Sequence, residues 1–320
     1  MTTETEAQPE ALTLIELFRR FPDNETARAW FEEKRWGGVP YCPHCGSEKV
    51  STCTHKSMTH RCGEKECRKR FSVRVGTSMQ GTHLDYQTWA VGIFLLAEFP
   101  KGVSSVYLGK ALGIPQSTAW SLGHRIRAAW HEFEPPKFQG AVEVDETYVG
   151  GKYANMHKER RQSKPQKFVV VGAIERETGQ VYARPVNSAT MEELVPFVHQ
   201  VTEPGTKVYT DEAPSYNAVR RPIETVAHAR REWARGDATT NRIESVWRVL
   251  KDRYRTHHWW SRKHLHRYVD EVTWRLNHRS LGTLDRMAAV VRGMVGKRLP
   301  YSELIGKPKH AIPSQGALDL

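Results

Sequence analysis

Residues 141–152 have the sequence AVEVDETYVGGK, a β-rich run that carries Asp145 and ends at a Gly-Gly turn. Further β-rich and helical stretches follow it. In chain order they are two β-rich runs, a helical stretch, a β-rich run and two helical stretches: residues 168–175, 181–186, 191–201, 207–210, 239–254 and 264–279. Three strands, a helix, a strand and then helices predict a mixed α/β domain.

Acidic residues end two of these strands. Asp145 precedes the Gly-Gly turn, and Asp211 directly follows the run at residues 207–210. Carboxylates at the ends of neighbouring strands can share divalent ions. Two such ions about 4 Å apart favour phosphodiester cleavage, because they activate the attacking oxygen and stabilise the leaving one. Since Mg²⁺ prefers oxygen ligands, the pattern predicts a magnesium site that cleaves phosphodiesters.

A third acid, Glu244, lies in the helical stretch at residues 239–254. Lys251 follows it by two helical turns, on the same face and roughly 10 Å away, so a metal ligand and a phosphate-binding ammonium would point one way. Asn241 lies on that face one turn earlier and is the alternative third residue. Any one of these acids alone is more often a solvated surface group. Four further acids are substitutes for them: Glu143, Glu146, Glu212 and Asp237.

Four cysteines precede this region in two pairs. Cys42 and Cys45 are separated by two residues, and Cys62 and Cys67 by four. Such spacing suits a tetrahedral zinc with four thiolate ligands and no open position, so it predicts a structural rather than a catalytic ion. The fifth cysteine, Cys53, is interpreted as incidental. Three histidines are possible substitute ligands that four thiolates do not need: His44, His55 and His60.

Residues 103–120 have the pattern of a helix-turn-helix, with Gly113 in the turn. In that motif the first residues of the second helix face base edges. The residues predicted to contact DNA from this helix are Gln116, Ser117, Thr118 and, further along, Arg125. The alternative is a plain pair of packed helices.

The chain of 320 residues is basic, with 48 Lys and Arg against 36 Asp and Glu and a net charge of +12. This charge favours nucleic acid as a partner, because no run of about 18 apolar residues indicates a membrane. Basic residues concentrate near the acids, and we expect DNA contacts from Arg242, Arg248 and Lys251 and from Lys158, Arg160 and Arg161. Trp259 and Trp260 either stack on unpaired bases or belong to the core.

Six motifs carry a resemblance to a known family: YCPHCG at 41–46, VDETYVGG at 144–151, VYTDE at 208–212, TNRIE at 240–244, HLHRY at 264–268 and RLNHR at 275–279. In these motifs the chain resembles the zinc-ribbon insertion-sequence transposases of the ISXO type, which have a DDE catalytic domain of ribonuclease-H-like fold. The resemblance implies that Asp145, Asp211 and Glu244 bind Mg²⁺ or Mn²⁺. It also implies hydrolysis at the ends of a mobile element, whose 3′ hydroxyls then attack target DNA, and a homo-oligomer that bridges two double-stranded ends.

The expected organisation places the helix-turn-helix-like segment between the zinc ribbon and the catalytic domain. The expected units are a leader with N-terminal helices, the zinc ribbon, the helix-turn-helix-like segment, the catalytic domain and a helical tail: 1–36, 37–80, 81–133, 138–280 and 281–320. The polar, acidic first ten residues indicate no secretory signal, so a cytoplasmic protein is expected. Two other functions stay open, a DNA-binding regulator that has lost catalysis and a nuclease that does not join strands.

Overall fold

A computed structural model of the protein describes residues 10–150, 167–211, 214–226 and 239–306. Several predicted features lie outside these residues. They are Lys158, Arg160 and Arg161, the substitute acids Glu212 and Asp237, the first nine residues of the leader and the tail from residue 307.

Two short helices begin the described chain, α1 (Leu14–Arg20) and α2 (Asn24–Trp36). Their ends are set by local side chains. The Asp23 carboxylate accepts a hydrogen bond from the backbone N–H of Thr26 at 2.7 Å, which satisfies a donor that the first turn of α2 leaves unpaired. Gly37 ends α2 in the left-handed region at φ 62°, where glycine has no steric penalty.

The ribbon that follows is a small antiparallel sheet, in which β1 (Val50–Thr52), β2 (His60–Cys62) and β3 (Arg70–Phe71) pair in chain order. Its buried side packs on the helices, since Phe71 lies within 6.1 Å of the Trp36 ring and stacks on His60. The ribbon is therefore continuous with the helical core beside it.

The helical core combines both ends of the described chain. It contains α1, α2 and four further helices: α3 (Tyr86–Glu98), α4 (Ser105–Leu112), α5 (Gln116–Ala129) and α9 (Thr283–Gly293). The helix α9 belongs to the segment expected to be a separate tail, yet Met287 and Val291 are buried against the N-terminal helices. Apolar burial thus joins residues that are about 200 positions apart in sequence.

Downstream of α5, the described residues form a five-stranded mixed sheet in the order β6-β5-β4-β7-β8. The strands are β4 (Val142–Val149), β5 (Phe168–Glu175), β6 (Val181–Val186), β7 (Val208–Asp211) and β8 (Ile223–Val226). The first three are antiparallel hairpin neighbours, whereas β7 is parallel to β4 and β8 is parallel to β7. The predicted mixed α/β fold of ribonuclease-H-like type is confirmed. Only β8, a short edge strand, was not expected from its sequence.

Helices cover both faces of this sheet. On one face lies α6 (Met191–Val201), and on the other lie α7 (Asn241–His257) and α8 (Leu265–Asn277). A short helix, α10 (Tyr301–Ile305), ends the described residues. None of the described helices is both long and apolar enough to cross a membrane.

A buried ion cluster joins the helical core to the sheet domain. Glu271 of α8, 1% exposed, accepts hydrogen bonds from Arg127 of α5 at 2.6 Å and from Arg253 of α7. Arg253 also donates to the backbone carbonyl of Pro100 at 3.1 Å. Three helices thus meet at one carboxylate, and Arg253 connects them to the loop at Pro100.

Candidate active site and zinc site

The four ribbon cysteines form one cluster. Their sulfur atoms all lie within 4.8 Å of one another, with 3.7 Å between Cys42 and Cys67 and 3.6 Å between Cys45 and Cys62. Tetrahedral zinc with Zn–S bonds of about 2.3 Å requires sulfur atoms roughly 3.8 Å apart. The donor set and its spacing therefore fit a structural zinc. Cys53 stands apart and donates its thiol to the Met58 carbonyl.

The sheet brings two of the predicted aspartates together. Asp211 ends β7 as predicted, whereas Asp145 lies in the middle of β4 and not at its end. The parallel register pairs Val142 with Val208 and Glu143 with Tyr209. Continued two residues along each strand, it places Asp145 beside Asp211, and, besides burial, the charge of Asp211 does raise the pKa of Asp145. Because side chains alternate along a strand, both aspartates lie on the face that Glu143 and Tyr209 occupy. This is the face covered by α7.

A buried carboxylate of β4 anchors the start of α7. Glu143 is 0% exposed, and its Oε2 accepts from the backbone N–H groups of Arg242 at 2.9 Å and Ile243 at 3.2 Å. Its Oε1 accepts from Nε of Arg176 at 3.0 Å. The carboxylate satisfies two of the donors at the first turn and complements the positive end of the helix dipole. Glu143, a substitute acid in the sequence, therefore caps a helix.

One turn further along, Trp247 ties α7 to the aspartate itself. Its indole N–H donates to Oδ2 of Asp145 at 2.8 Å. Glu244 lies in the turn between this contact and the Glu143 cap, half-buried. The helix is thus held to β4 at two points on either side of the third predicted acid.

Repulsion and burial act on the acids around Asp145. Burial raises the pKa of the Asp145 carboxyl to about 7, against the indole hydrogen bond, and the nearby Glu146 and Asp211 raise it further. Burial also raises the pKa of Glu146, although the Tyr216 hydroxyl donates to it at 2.7 Å. A bound cation would favour the charged form of each group.

The acids near Asp145 do not form a tight cluster. Among the described residues, the cysteines are the only group of three or more possible ligands within 4.8 Å of one another. The oxygen donors and their mutual repulsion suit a hard divalent cation such as Mg²⁺, which keeps several waters and uses one or two carboxylates at a time. The residues present therefore fit such an ion.

Two family models match parts of the chain. Residues 137–277 match a family described as the ISXO2-like transposase domain, and residues 22–70 match one described as the transposase zinc-ribbon domain. The chain belongs to the IS1595-type zinc-ribbon transposases. The resemblance stated from the motifs is confirmed, and the zinc-ribbon match together with the four-cysteine cluster supports a structural zinc in this transposase.

One similar solved structure is a cryo-EM structure of the simian T-cell lymphotropic virus intasome in complex with PP2A regulatory subunit B56 gamma. The two chains are 11% identical, the alignment covers 57% of this transposase and 70% of that chain, and the TM-score is 0.30. At that score the likeness carries no weight for function. No curated protein matches the chain.

The predicted phosphate-binding residues of α7 lie along one exposed stripe. Arg248 and Lys251 are exposed and follow Glu244 by one and two turns. Arg242 is exposed as well, but its guanidinium donates to the backbone carbonyl of Arg176. Exposed basic groups therefore extend along α7 from Glu244 over the surface of the transposase.

The helix predicted to contact bases is α5, and only its first turn is largely exposed to solvent. Gln116 and Ser117 are exposed and Thr118 is half-buried, whereas Leu122 to Arg127 are all buried in the helical core. Gly113 ends α4 in the left-handed conformation at φ 65° and makes the turn possible. The geometry is compatible with reading bases through the first turn of α5.

Arg125 is a correction to the predicted DNA contacts. Its side chain is 5% exposed and donates to the backbone carbonyls of Ser78 at 2.7 Å and Gln80 at 2.8 Å. A guanidinium committed to buried carbonyls cannot reach a phosphate. Sequence spacing placed it on the recognition helix but could not show which face of that helix is covered.

The two adjacent tryptophans separate. Trp260 is 1% exposed and stacks on Tyr268 in the core, while Trp259 is 58% exposed and touches Phe168 only edge-on. Between α7 and Trp259, His258 adopts a positive φ of 62°, which turns the chain sharply. Both residues were expected either to stack on bases or to belong to the core. Trp260 belongs to the core, and Trp259 is exposed to solvent.

Sequence reasoning missed the residues that support the acids. Trp247 is one of ten tryptophans and has no distinguishing motif. The available signal was Gly172, a glycine inside an apolar strand, which commonly marks a close approach by another group.

Proposed function

We propose that the chain is a DDE transposase that cleaves the ends of its insertion element by metal-dependent hydrolysis and joins the 3′ hydroxyls to target DNA. The observation that carries this proposal is the position of Asp145 and Asp211, side by side on parallel strands beneath a helix that presents Glu244. The family membership supports a transposase, and the acids supply the site at which the chemistry would occur.

Asp145, Asp211 and Glu244 would hold Mg²⁺ or Mn²⁺. When bound there, the ions would activate the attacking oxygen and stabilise the leaving oxygen. The protein's own part is to position: the sheet sets the two aspartates, and the capped helix sets Glu244. No serine or tyrosine nucleophile is required, because water and then the DNA 3′ hydroxyl attack the phosphorus.

Glu244 is preferred over Asn241 as the third residue. Both are on α7, but Asn241 is the first helical residue and exposed, whereas Glu244 is half-buried between the two anchors to β4. Glu244→Gln should abolish cleavage, while Asn241→Ala should retain it. The reverse result would exchange the assignment.

DNA would bind along the exposed stripe of α7. Arg248 and Lys251 would contact phosphates, and Gln116, Ser117 and Thr118 would contact bases near the element end. The working particle would be a homo-oligomer that bridges two double-stranded ends. We retain the division into ribbon, helical segment and catalytic domain, with α9 as part of the helical segment.

Cleavage and joining of a labelled duplex that carries the element's own ends test the proposal. The wild-type protein with Mg²⁺ or Mn²⁺ is compared with Asp145→Asn and Asp211→Asn, and Asp252→Asn serves as a control because its carboxylate lies on the solvent side of α7. Nicks at the end and joined product, lost in the two site variants and kept in the control, are expected. DNA affinity should be unchanged or slightly higher in the site variants, since each removes a negative charge.

Other outcomes identify the other functions. Tight DNA binding without cleavage in the wild type would favour a regulator. Cleavage without transfer of the end into a target plasmid would favour a nuclease. Normal cleavage by Asp145→Asn would refute the assigned site.

A further inference from the structure

The indole of Trp247, on the covering helix α7, contacts Asp145, an acid of the proposed site. Trp247 is 4% exposed, and its N–H lies 2.8 Å from Oδ2 of Asp145. An indole has one hydrogen-bond donor and no acceptor, so Trp247 must be the donor and Asp145 the acceptor in this bond. It fixes one carboxylate oxygen of Asp145.

A glycine allows this contact. Gly172 of β5 stands directly opposite Asp145 in the strand register. A Cβ at Gly172 would lie 2.5 Å from Cη2 of Trp247 and 3.2 Å from Cβ of Ala183. The tryptophan ring therefore lies directly on the backbone of β5, at a depth that any other residue at position 172 would prevent.

The helix that carries Trp247 is fixed at its start by Glu143, two residues before Asp145 on the same strand. Glu143 and Asp145 point to the same face of β4, and the Arg242 and Trp247 bonds to them are just over one helical turn apart. Two residues along β4 span about 6.7 Å, and the five residues from Arg242 to Trp247 rise about 7.5 Å along α7, so the two spacings nearly match. Glu244 lies between Arg242 and Trp247 on that helix.

We propose that Trp247 is a positioning residue for the metal site. Gly172 leaves the space that the Trp247 ring occupies. The indole N–H orients the Asp145 carboxylate. The ring sets the distance between α7 and the sheet, and therefore the position of Glu244. This inference rests on the proposed function, since it concerns the same acids. Loss of an outer partner of a metal ligand commonly weakens metal binding by 10- to 100-fold, so roughly 10-fold is expected when only the N–H is removed.

The test measures Mn²⁺ binding to the full-length protein without DNA, from the EPR signal of free Mn²⁺. Trp247→Phe keeps an aromatic ring and removes the N–H, and it should raise the half-saturating Mn²⁺ concentration about 10-fold. Trp260→Phe is the matched control, because Trp260 is also buried in the α7–α8 core and its indole N–H has no hydrogen-bond partner among the described residues. The control should stay within about two-fold of wild type.

Gly172→Ala is a second variant that keeps the indole and displaces it. It should shift Mn²⁺ binding in the same direction as Trp247→Phe. Cleavage by both variants should recover towards the wild-type rate at saturating Mn²⁺, which a general folding defect would not allow. Wild-type Mn²⁺ binding by either variant, in protein that retains wild-type circular dichroism, would overturn the inference.

Asp145→Asn separates this inference from the proposed function. If Asp145→Asn binds Mn²⁺ as the wild type does, the proposed metal site itself is wrong. If Asp145→Asn loses Mn²⁺ while Trp247→Phe and Gly172→Ala keep it, the site stands and only the positioning role fails.

Discussion

Replacement of Glu271 by Gln should destabilise the whole protein. Glu271 is 1% exposed and receives Arg127 at 2.6 Å on one oxygen and Arg253 on the other. Glutamine keeps the shape but removes the charge, and its amide N–H₂ would face a guanidinium that also only donates. Two buried positive charges would then lack their counterion.

Two routes give a similar size for this effect. Removal of one partner from a buried ion pair typically costs about 3–5 kcal/mol. Independently, burial would raise the pKa of Glu271, but Arg127 and Arg253 overcome it and lower the pKa from 4.5 to about 2. At about 1.4 kcal/mol per pKa unit, this corresponds to roughly 3 kcal/mol that the charged form contributes at neutral pH.

Urea unfolding, followed by tryptophan fluorescence and circular dichroism, measures the loss. The control is Asp252→Asn, which removes the partner of Arg255 from a pair whose side chains are 42% and 76% exposed. It should cost about 1 kcal/mol or less. Because the Glu271 cluster joins the helical core to the sheet domain, both probes should shift together in Glu271→Gln.

A loss of less than about 1 kcal/mol in Glu271→Gln would refute the reasoning, because it would mean that solvent reaches the cluster. A triple variant, Arg127→Met with Glu271→Leu and Arg253→Met, gives a second check. It removes all three charges and should recover most of the lost stability, since buried ion clusters seldom outperform well-packed apolar residues.

Three further predictions concern other regions. Cys62→Ser should lower the zinc content from about one per chain and destabilise the adjoining helical core, and full zinc content by elemental analysis would contradict the assigned cluster. Burial lowers the pKa of His264 to about 4 and that of His124 well below its usual value. As the pH falls from about 6.5 to 5, the unfolded chain takes up protons that the folded chain refuses, so the free energy of unfolding should fall by about 2 kcal/mol per histidine; an equal slope in His264→Gln would disprove this. Trp259→Ala should weaken binding to DNA ends with unpaired bases by about 1–3 kcal/mol per stacked base and leave blunt duplex binding unchanged, whereas an equal loss on both would exclude stacking.

The zinc cluster and the strands were predictable because their causes are local. Two pairs of closely spaced cysteines need only a short turn each to bind one ion. The four sulfur atoms do lie within 4.8 Å of one another. The predicted run at residues 168–175 is strand β5, and the helical stretch at 191–201 is α6. Short-range periodicity and turn residues determine such elements.

The surroundings of the acids were not predictable in the same way. The β-rich runs identified Asp145 and Asp211, although Asp145 lies in the middle of β4, and their proximity depends on β7 lying beside β4 after a helical crossover. Nothing near Glu143 in sequence indicates that it caps a helix about 100 residues later. These relations arise only when distant segments pack together.

Burial decided which similar residues serve which purpose. Arg125 and Arg248 are both basic residues on predicted DNA-binding helices, yet the first is buried against backbone carbonyls and the second is exposed. Trp259 and Trp260 are adjacent, and only the turn at His258 separates their environments. The sequence by itself determined most of the elements, the four-cysteine cluster and the family, because these depend on neighbouring residues. The tertiary structure alone decided which acid caps a helix, which indole holds an aspartate and which basic side chains are exposed, because those depend on contacts between residues far apart in the chain.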